Sequence, residues 1–333
     1  MAARKRRDDV TSRDAYKPPA FLQVDVDGLW TVRQCYGRAV GDTFHTDPVW
    51  QQGMREFLAL FDALRVKAGF FLVGRDLEVP SKRRMALEIA EAGHEIANHS
   101  YTHRIGLTKL KTDALKREIE LAHDTIVEAG LPEPVGFRSP GYDVDERVLA
   151  VVRAMGYAYD ASVLPSAMGP VMRIADAWIA RRIQLEKRQF GRTIYVRAPR
   201  IPYFPNHHAI WKRLPLGEPG RMMEVPVSTL PPFGLPLTAS AVFALGSDRV
   251  IELLARRHRR QPLLMLLHGV DLVDCTEPIV FDHRTTAVAG FNLSLEEKRA
   301  QLEPVLRYVC DHYHIARACD WVQRYTEPRT TAS

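Results

Sequence analysis

Three groups of polar residues sit within or at the end of apolar runs: Asp25-Val26-Asp27, His99-Ser100-Tyr101-Thr102-His103 and Leu267-His268. Two imidazoles four residues apart can be turned toward one cation by a helical turn or by a tight loop. A carboxylate from elsewhere completes a set of two histidines and one acid, with positions left open for water and substrate. That describes a catalytic Zn²⁺, Fe²⁺ or Co²⁺ site rather than a closed structural one, and Asp27 is the candidate third ligand. Each signal has a plain alternative. HxxxH arises by chance in surface and core pairs, and an Asp-x-Asp at a strand end is as often a turn or a helix cap. Their joint occurrence is harder to explain that way.

The elements that must position these groups can be read from the apolar pattern. Phe21-Leu22-Gln23-Val24 and Leu263-Leu264-Met265-Leu266-Leu267 read as short buried strands bounded by Pro, Gly and Asp, so the ionisable residues fall at strand ends. In barrels of alternating strands and helices that edge carries the chemistry. Helical candidates span residues 48–66, 81–92, 109–129, 145–155, 247–259 and 294–312. Ser81, Thr108 and Ser294 are expected caps, the last with Glu297 in a capping-box spacing, and Gly93 and Gly130 suit helix ends. The alternation predicts an α/β protein with a largely parallel sheet.

The order Asp25-x-Asp27-Gly28, His99-x-x-x-His103, Arg138-Ser139-Pro140-Gly141-Tyr142 and a strand ending at His268 resembles the polysaccharide deacetylase family, also called NodB homology or carbohydrate esterase family 4. The flanking segments Phe70-Phe71-Leu72-Val73-Gly74 and Gly93-His94-Glu95-Ile96-Ala97-Asn98 agree with it. The resemblance implies a single deformed (β/α) barrel. It casts Asp25 as general base, Asp27, His99 and His103 as metal ligands, and Arg138 as the partner of the base. It places an oxyanion-stabilising amide at Gly141 or Tyr142 and makes His268 the general acid. The commonest family pattern has adjacent aspartates; here Val26 separates them, as in an Asp-x-Asp branch.

Amide hydrolysis needs an activated water, a polarised carbonyl and a proton for a poor leaving group, and these residues offer one candidate for each. A metal ion lowers the pKa of bound water from about 16 to about 7, within reach of a carboxylate base. An acid beside His268 would raise its pKa so that it starts protonated. Asp160, Glu224 and Asp271 are the candidates, Asp160 being favoured by its place at the end of a strand. Zn²⁺ is the first choice of metal, with Co²⁺, Fe²⁺, Ni²⁺ or Mn²⁺ also compatible.

A chain of 333 residues, 46% of them hydrophobic, can bury a large core, and one barrel with an insertion accounts for it. The expected layout is a disordered basic tail over 1–18, a barrel over 19–327 with an insertion at about 165–223, and a tail over 328–333. The charged N-terminus lacks the apolar region of an export signal, and no apolar stretch is long enough to span a bilayer, which points to a cytoplasmic location. Cys35, Cys275, Cys310 and Cys319 show no close metal spacing and read as reduced thiols, the last two as buried apolar residues.

The net charge of +6 is concentrated in the second half, at Arg181-Arg182, Lys187-Arg188, Arg192, Arg197, Arg200, Lys212-Arg213 and residues 256–260. Positive charge near a metal site suits an anionic substrate, although a solvated basic surface explains the last run equally well. No nucleic-acid motif is found. Within the insertion, Tyr203, Phe204, Ile210 and Trp211 interleave with basic residues, as at a membrane interface or on the underside of a lid. The resemblance therefore leads to an enzyme removing acetyl or formyl from an amino sugar carried on a nucleotide or a polyprenyl phosphate, with possible peripheral membrane contact. A hydrolase of small non-sugar amides and a catalytically silent glycan-binding barrel are the alternatives.

Overall fold

The computed structural model describes residues 16–35, 41–167, 192–218, 220–257, 260–276 and 290–326. Eight strands form the principal sheet: β1 (Pro19–Val26), β2 (Gly69–Leu72), β3 (Glu95–Asn98), β4 (Gly136–Phe137), β5 (Tyr159–Asp160), β6 (Met223–Glu224), β7 (Leu263–His268) and β8 (His314–Ile315). They run parallel in the order β7-β1-β2-β3-β4-β5-β6, with β8 added at the start of β1. The sheet curls until its edges meet, and the seam is a single residue wide rather than a ladder. Ser228, four residues past β6, donates its N–H to the Leu264 carbonyl at 3.1 Å, and its Oγ accepts from the Leu264 N–H at 2.9 Å. The largely parallel sheet is what the alternation of strands and helices predicts, and its curl is the deformed barrel that the resemblance implies.

Period-2 alternation sorts β1 between two cores. Ala20, Leu22, Val24 and Val26 point outward into the layer shared with the helices, while Phe21 faces an inner cluster with Phe71, Ala97, Tyr159, Val225, Leu264 and Leu266. Burying each large apolar side chain contributes about 1.5–3 kcal/mol, so a one-residue slip of β1 would expose the outer set and is strongly disfavoured.

The connecting helices follow the apolar periodicity. Met54–Ala63 is preceded by a single π turn over Val49–Gly53, and Pro80–Glu91, Thr112–Glu128, Glu146–Ala154, Ser247–Arg256 and Leu295–His312 match their expected spans to within a few residues. Ser294 caps the last of these in a reciprocal box with Glu297. Two other expected caps differ. Pro80 opens its helix behind Val79, because the fixed φ of proline suits the first helical position and needs no side-chain cap. Lys111, not Thr108, precedes Thr112, and Thr108 binds the Asp143 carboxylate instead.

Much of the expected insertion, residues 168–191, lies outside the described residues, as do 1–15 and 327–333. The part from 192 to 218 is packed. Tyr195, Tyr203 and Ile210 are buried, the Tyr203 hydroxyl donates to the Ile210 carbonyl at 2.6 Å, and Trp211 packs partly buried on the outer cluster around Val148 and Val152. Within the described segment Tyr203 and Ile210 are buried and Phe204 and Trp211 partly so, the packing expected of the underside of a lid. Cys310 and Cys319 are half-buried rather than buried, and Cys275 is the buried thiol among the cysteines whose burial is described. No helix among the described residues is long and apolar enough to cross a membrane.

Candidate active site

The pleat explains why two aspartates separated by one residue can serve one site. Asp25 leaves β1 on the inner face, Val26 packs outward at 0% exposure, and Asp27 follows just past the strand on the side of Asp25. On the neighbouring strand β7, His268 pairs in register with Asp25. Base and acid candidates thus flank one spot without any help from a loop.

The two histidines are carried by the loop after β3, not by a helix. Ser100 (φ 64°) and His103 (φ 52°) both hold left-handed backbone conformations. Such strain persists where surrounding bonds over-determine it. Here the Ser100 N–H donates to Asn98 Oδ1 at 2.8 Å, and Thr102 donates its N–H and hydroxyl to Glu118 at 2.6 and 2.8 Å. The Ser100 and Tyr101 carbonyls accept the Gly74 and Arg75 N–H groups at 3.0 Å each.

Asp27 Oδ1 lies 3.3 Å from His99 Nε2 and 3.1 Å from His103 Nε2. The opposite ring nitrogen of His99, Nδ1, is 2.7 Å from the Arg138 carbonyl, which can only accept. Nδ1 therefore carries a proton, and in the neutral ring Nε2 presents its lone pair to the Asp27 oxygen. Two acceptors at 3.3 Å call for a cation or a proton between them. Burial works to raise the Asp27 carboxyl, but the charges and hydrogen bonds of His103 and His99 outweigh it and hold the group well below the usual carboxylate range. A nitrogen, nitrogen and oxygen donor set whose ligand atoms all lie within 4.8 Å of one another fits a divalent metal of the zinc type.

Arg138, fully buried, fixes the base candidate. Its Nη1 donates to Asp25 Oδ1 at 2.6 Å, its Nε to the Ala161 carbonyl at 2.9 Å and its Nη2 to Gln23 Oε1, while the guanidinium lies 4.2 Å over the Phe71 ring. Asp25 Oδ2 is then the oxygen directed to the site, 3.9 Å from His99 Nε2. Sequence reasoning missed Gln23. Its signal was available, since a polar residue two positions before Asp25 in an apolar strand must share the inner face.

Gly141 (φ 63°) and Tyr142 (φ 57°) are both left-handed in the short turn after β4. Of the two oxyanion candidates, Tyr142 commits its N–H to the Ser139 carbonyl at 3.1 Å, which favours the Gly141 amide. The Tyr142 phenol is pushed upward by burial and then by the charge of Asp25, so it stays protonated beside the acids.

His268 is about one-third exposed, and the acid beside it is Asp271. Asp271 Oδ2 accepts the His268 N–H at 2.6 Å and lies 4.0 Å from Nδ1. Burial raises the Asp271 carboxyl, against the pull of His268. Lys298 holds this loop from behind, donating to the Val270 and Val273 carbonyls at 3.0 and 2.7 Å. Gly269 meets Gly53 so closely that a Cβ on Gly53 would lie 2.4 Å from the Gly269 carbonyl oxygen.

Asp160, the favoured neighbour of His268, is a correction. Its register with Phe137 and Glu224 puts it on the outer face, because parity along β5 gives the inner face to Tyr159 and Ala161. It accepts from the Ser162 hydroxyl and N–H at 2.7 and 3.0 Å. Glu224 Oε1 accepts the Val163 N–H at 3.0 Å. Burial raises both carboxyls. Glu224 goes well above its usual range because Asp160 beside it adds to the effect. Of the basic residues, Arg200 lies against Phe21, Ser228 and Leu263, toward the start of β1 and β7 and away from Asp25; residues 181, 182, 187 and 188 fall outside the described set.

Residues 36–159 match the sequence profile of the family described as polysaccharide deacetylase. Over this segment, less than half of the chain, the protein is similar to the polysaccharide deacetylase family. The matched segment includes His99, His103 and Arg138 but not Asp25, Asp27 or His268, which only the fold brings to them. Among solved structures, a polysaccharide deacetylase described as putative, from Mycobacterium smegmatis, has a TM-score of 0.60 at 19% identity, covering 97% of this chain and 96% of its own. Its likeness is one of fold. An uncharacterised protein YlxY of Bacillus subtilis is 30% identical over 98 residues, or 29% of this chain. A peptidoglycan deacetylase-like protein FGM2 of Gibberella zeae is 30% identical over 117 residues, or 33% of this chain. The matches span only 30% and 32% of those two relatives' lengths.

Proposed function

We propose that this protein is a polysaccharide deacetylase family member and a metal-dependent hydrolase that removes an N-acyl group, acetyl or formyl, from an amino sugar. The proposed substrate is an anionic intermediate carried on a nucleotide or polyprenyl phosphate, and the proposed setting is the cytoplasm. The observation that carries the chemistry is Asp27 Oδ1 facing both histidine Nε2 atoms at 3.3 and 3.1 Å, with the Arg138-bound Asp25 beside them. The spacing Asp25-x-Asp27 is the reason for favouring the Asp-x-Asp branch, and the net charge of +6 is the reason for favouring an anionic carrier.

Asp27, His99 and His103 would hold the cation, which when bound acidifies water and polarises the acyl oxygen. Asp25 Oδ2 takes the proton of the attacking water, with Oδ1 pinned by Arg138 so that one oxygen stays oriented. The Gly141 N–H donates to the acyl oxygen as it gains charge. His268, across the strand pair from Asp25, delivers a proton to the departing nitrogen, held in place by Asp271. Amide and water become carboxylic acid and amine, and the proton taken by Asp25 balances the one given by His268.

The test is metal content of the wild type and of His99→Ala/His103→Ala, with release of primary amine from N-acetyl and N-formyl amino sugars in free, nucleotide-linked and lipid-linked form. Stoichiometric metal lost in the variant, together with amine release from a charged substrate, is the expected result. Metal without release from any sugar would move the substrate to non-sugar amides. Wild type that takes up no metal would overturn the enzymatic reading in favour of a glycan-binding barrel.

A further inference from the structure

Asp27 stands one residue beyond the end of β1, so the strand alone does not set where its carboxylate falls. The next residues are held from outside. The Leu29 N–H donates to Asp47 Oδ1 at 3.0 Å, and the Trp30 indole N–H donates to Asp76 Oδ1 at 2.7 Å. Lys82, from the helix Pro80–Glu91, joins the two acids, 2.9 Å from Asp47 Oδ2 and 2.6 Å from Asp76 Oδ1. All are buried: Lys82 is 1% exposed, Asp47 1%, Asp76 0% and Trp30 1%. The Asp47 carboxylate presses so close to the chain that a Cβ on Gly28 would lie 2.5 Å from its Oδ2, so any side chain there would displace the Asp47 carboxylate or the Trp30 ring.

Asp76 belongs to the turn Gly74–Glu78 after β2, and that turn also carries the Gly74 and Arg75 amides that hold the histidine loop at Ser100 and Tyr101. One short turn is therefore bonded to both ligand-bearing loops, to the aspartate side through Asp76 and to the histidine side through backbone amides. An apolar cluster of the same volume would give comparable stability, because a buried ion network gains little net energy over hydrophobic packing. What the network adds is direction, since each bond has a fixed length and angle.

We propose that the buried Asp47, Lys82 and Asp76 network, with Trp30, is a positioning device that sets the distance from Asp27 to His99 and His103. The proposal rests on the reading of those three residues as metal ligands. It makes Lys82 and Asp76 positioning residues: neither touches substrate or the ligand atoms.

The test is a Co²⁺ titration of metal-free protein, followed by the visible d–d absorption, with thermal melting of the same metal-free samples. Lys82→Met/Asp76→Asn conserves the net charge of the network at minus one and leaves an amide oxygen for the Trp30 N–H. The double variant is expected to keep its far-UV circular dichroism and a cooperative melt, while Co²⁺ affinity falls about 10-fold or more and the d–d band shifts. Leu149→Ala, in the separate cluster around Val148, should lower the melting temperature and leave Co²⁺ affinity unchanged. If the double variant does not fold, Trp30→Phe, which removes the indole donor and part of the buried ring, is titrated in its place beside the Leu149→Ala packing control, with a several-fold loss of affinity expected. Wild-type Co²⁺ affinity and spectrum in the folded variant would overturn the proposal alone. Wild type that binds no Co²⁺ would overturn the metal reading and this one with it.

Discussion

Two sets of buried carboxylates sit at strand ends of this one sheet, and they have opposite electrostatics. Asp27 shares its pocket with two imidazoles and is held well below the usual carboxylate range. Asp160 and Glu224 share theirs with each other and with Ser162, and burial raises both. The difference is one of pleat parity. Asp27 continues the inner face of β1, on which Arg138 and the histidine loop converge, whereas Asp160 and Glu224 fall in register with Phe137 on the outer face. A strand-end acid is therefore not a site residue by position alone; the face it takes decides whether cationic groups meet it.

The comparison is broken most sharply by removing the imidazoles. His99→Ala/His103→Ala should lose bound metal and amine release by more than about 1,000-fold, checked by elemental analysis and a steady-state assay, while Asp160→Asn should retain its metal. Asp25→Asn should keep metal and lose about 100- to 10,000-fold in kcat. Metal lost from this variant would exchange the roles of the two aspartates. His268→Ala should lose about 100-fold or more on amides and much less on esters with good leaving groups, because only the amine needs its proton. A uniform loss on both would make His268 a binding residue.

The smallest effect is expected on the outer face. Glu224→Gln should change kcat/KM less than about 3-fold. With its native pKa raised by burial and by Asp160, Glu224 stabilises the fold fully below the unfolded value near 4.5, and that contribution is lost as pH rises through the native value. Urea midpoints of the wild type should thus fall across this range relative to those of Glu224→Gln, which has no proton to release. Parallel curves for the two proteins would show that Glu224 is ionised in the native state.

The sequence made much of the inner site legible because strand chemistry is local. Apolar runs ending in Asp25 and His268 located the strand ends, HxxxH located the two imidazoles that face Asp27, and the capping box at Ser294 and Glu297 located a helix start. Each of these needs only a few consecutive residues. The sequence favoured Asp160 over Asp271 as the neighbour of His268, because a strand end can be read locally and the face a residue takes in the closed sheet cannot. The segment from Tyr203 to Trp211 illustrates the same gap: its aromatics suit an interfacial surface or the underside of a lid alike, and only the structure shows Tyr203 and Ile210 buried.

By itself, then, the sequence determined which residue types were available and the period that makes each strand two-faced, since alternation along a strand is a property of the backbone. Only the tertiary structure decided which faces meet. Register between β1 and β7 brings Asp25 to His268, the curl of the sheet brings Arg138 from β4 to Asp25, and the turn after β2 ties the aspartate loop to the histidine loop. Those pairings join residues far apart in the chain, and their geometry is set by packing across the whole barrel, which no local pattern of residues encodes.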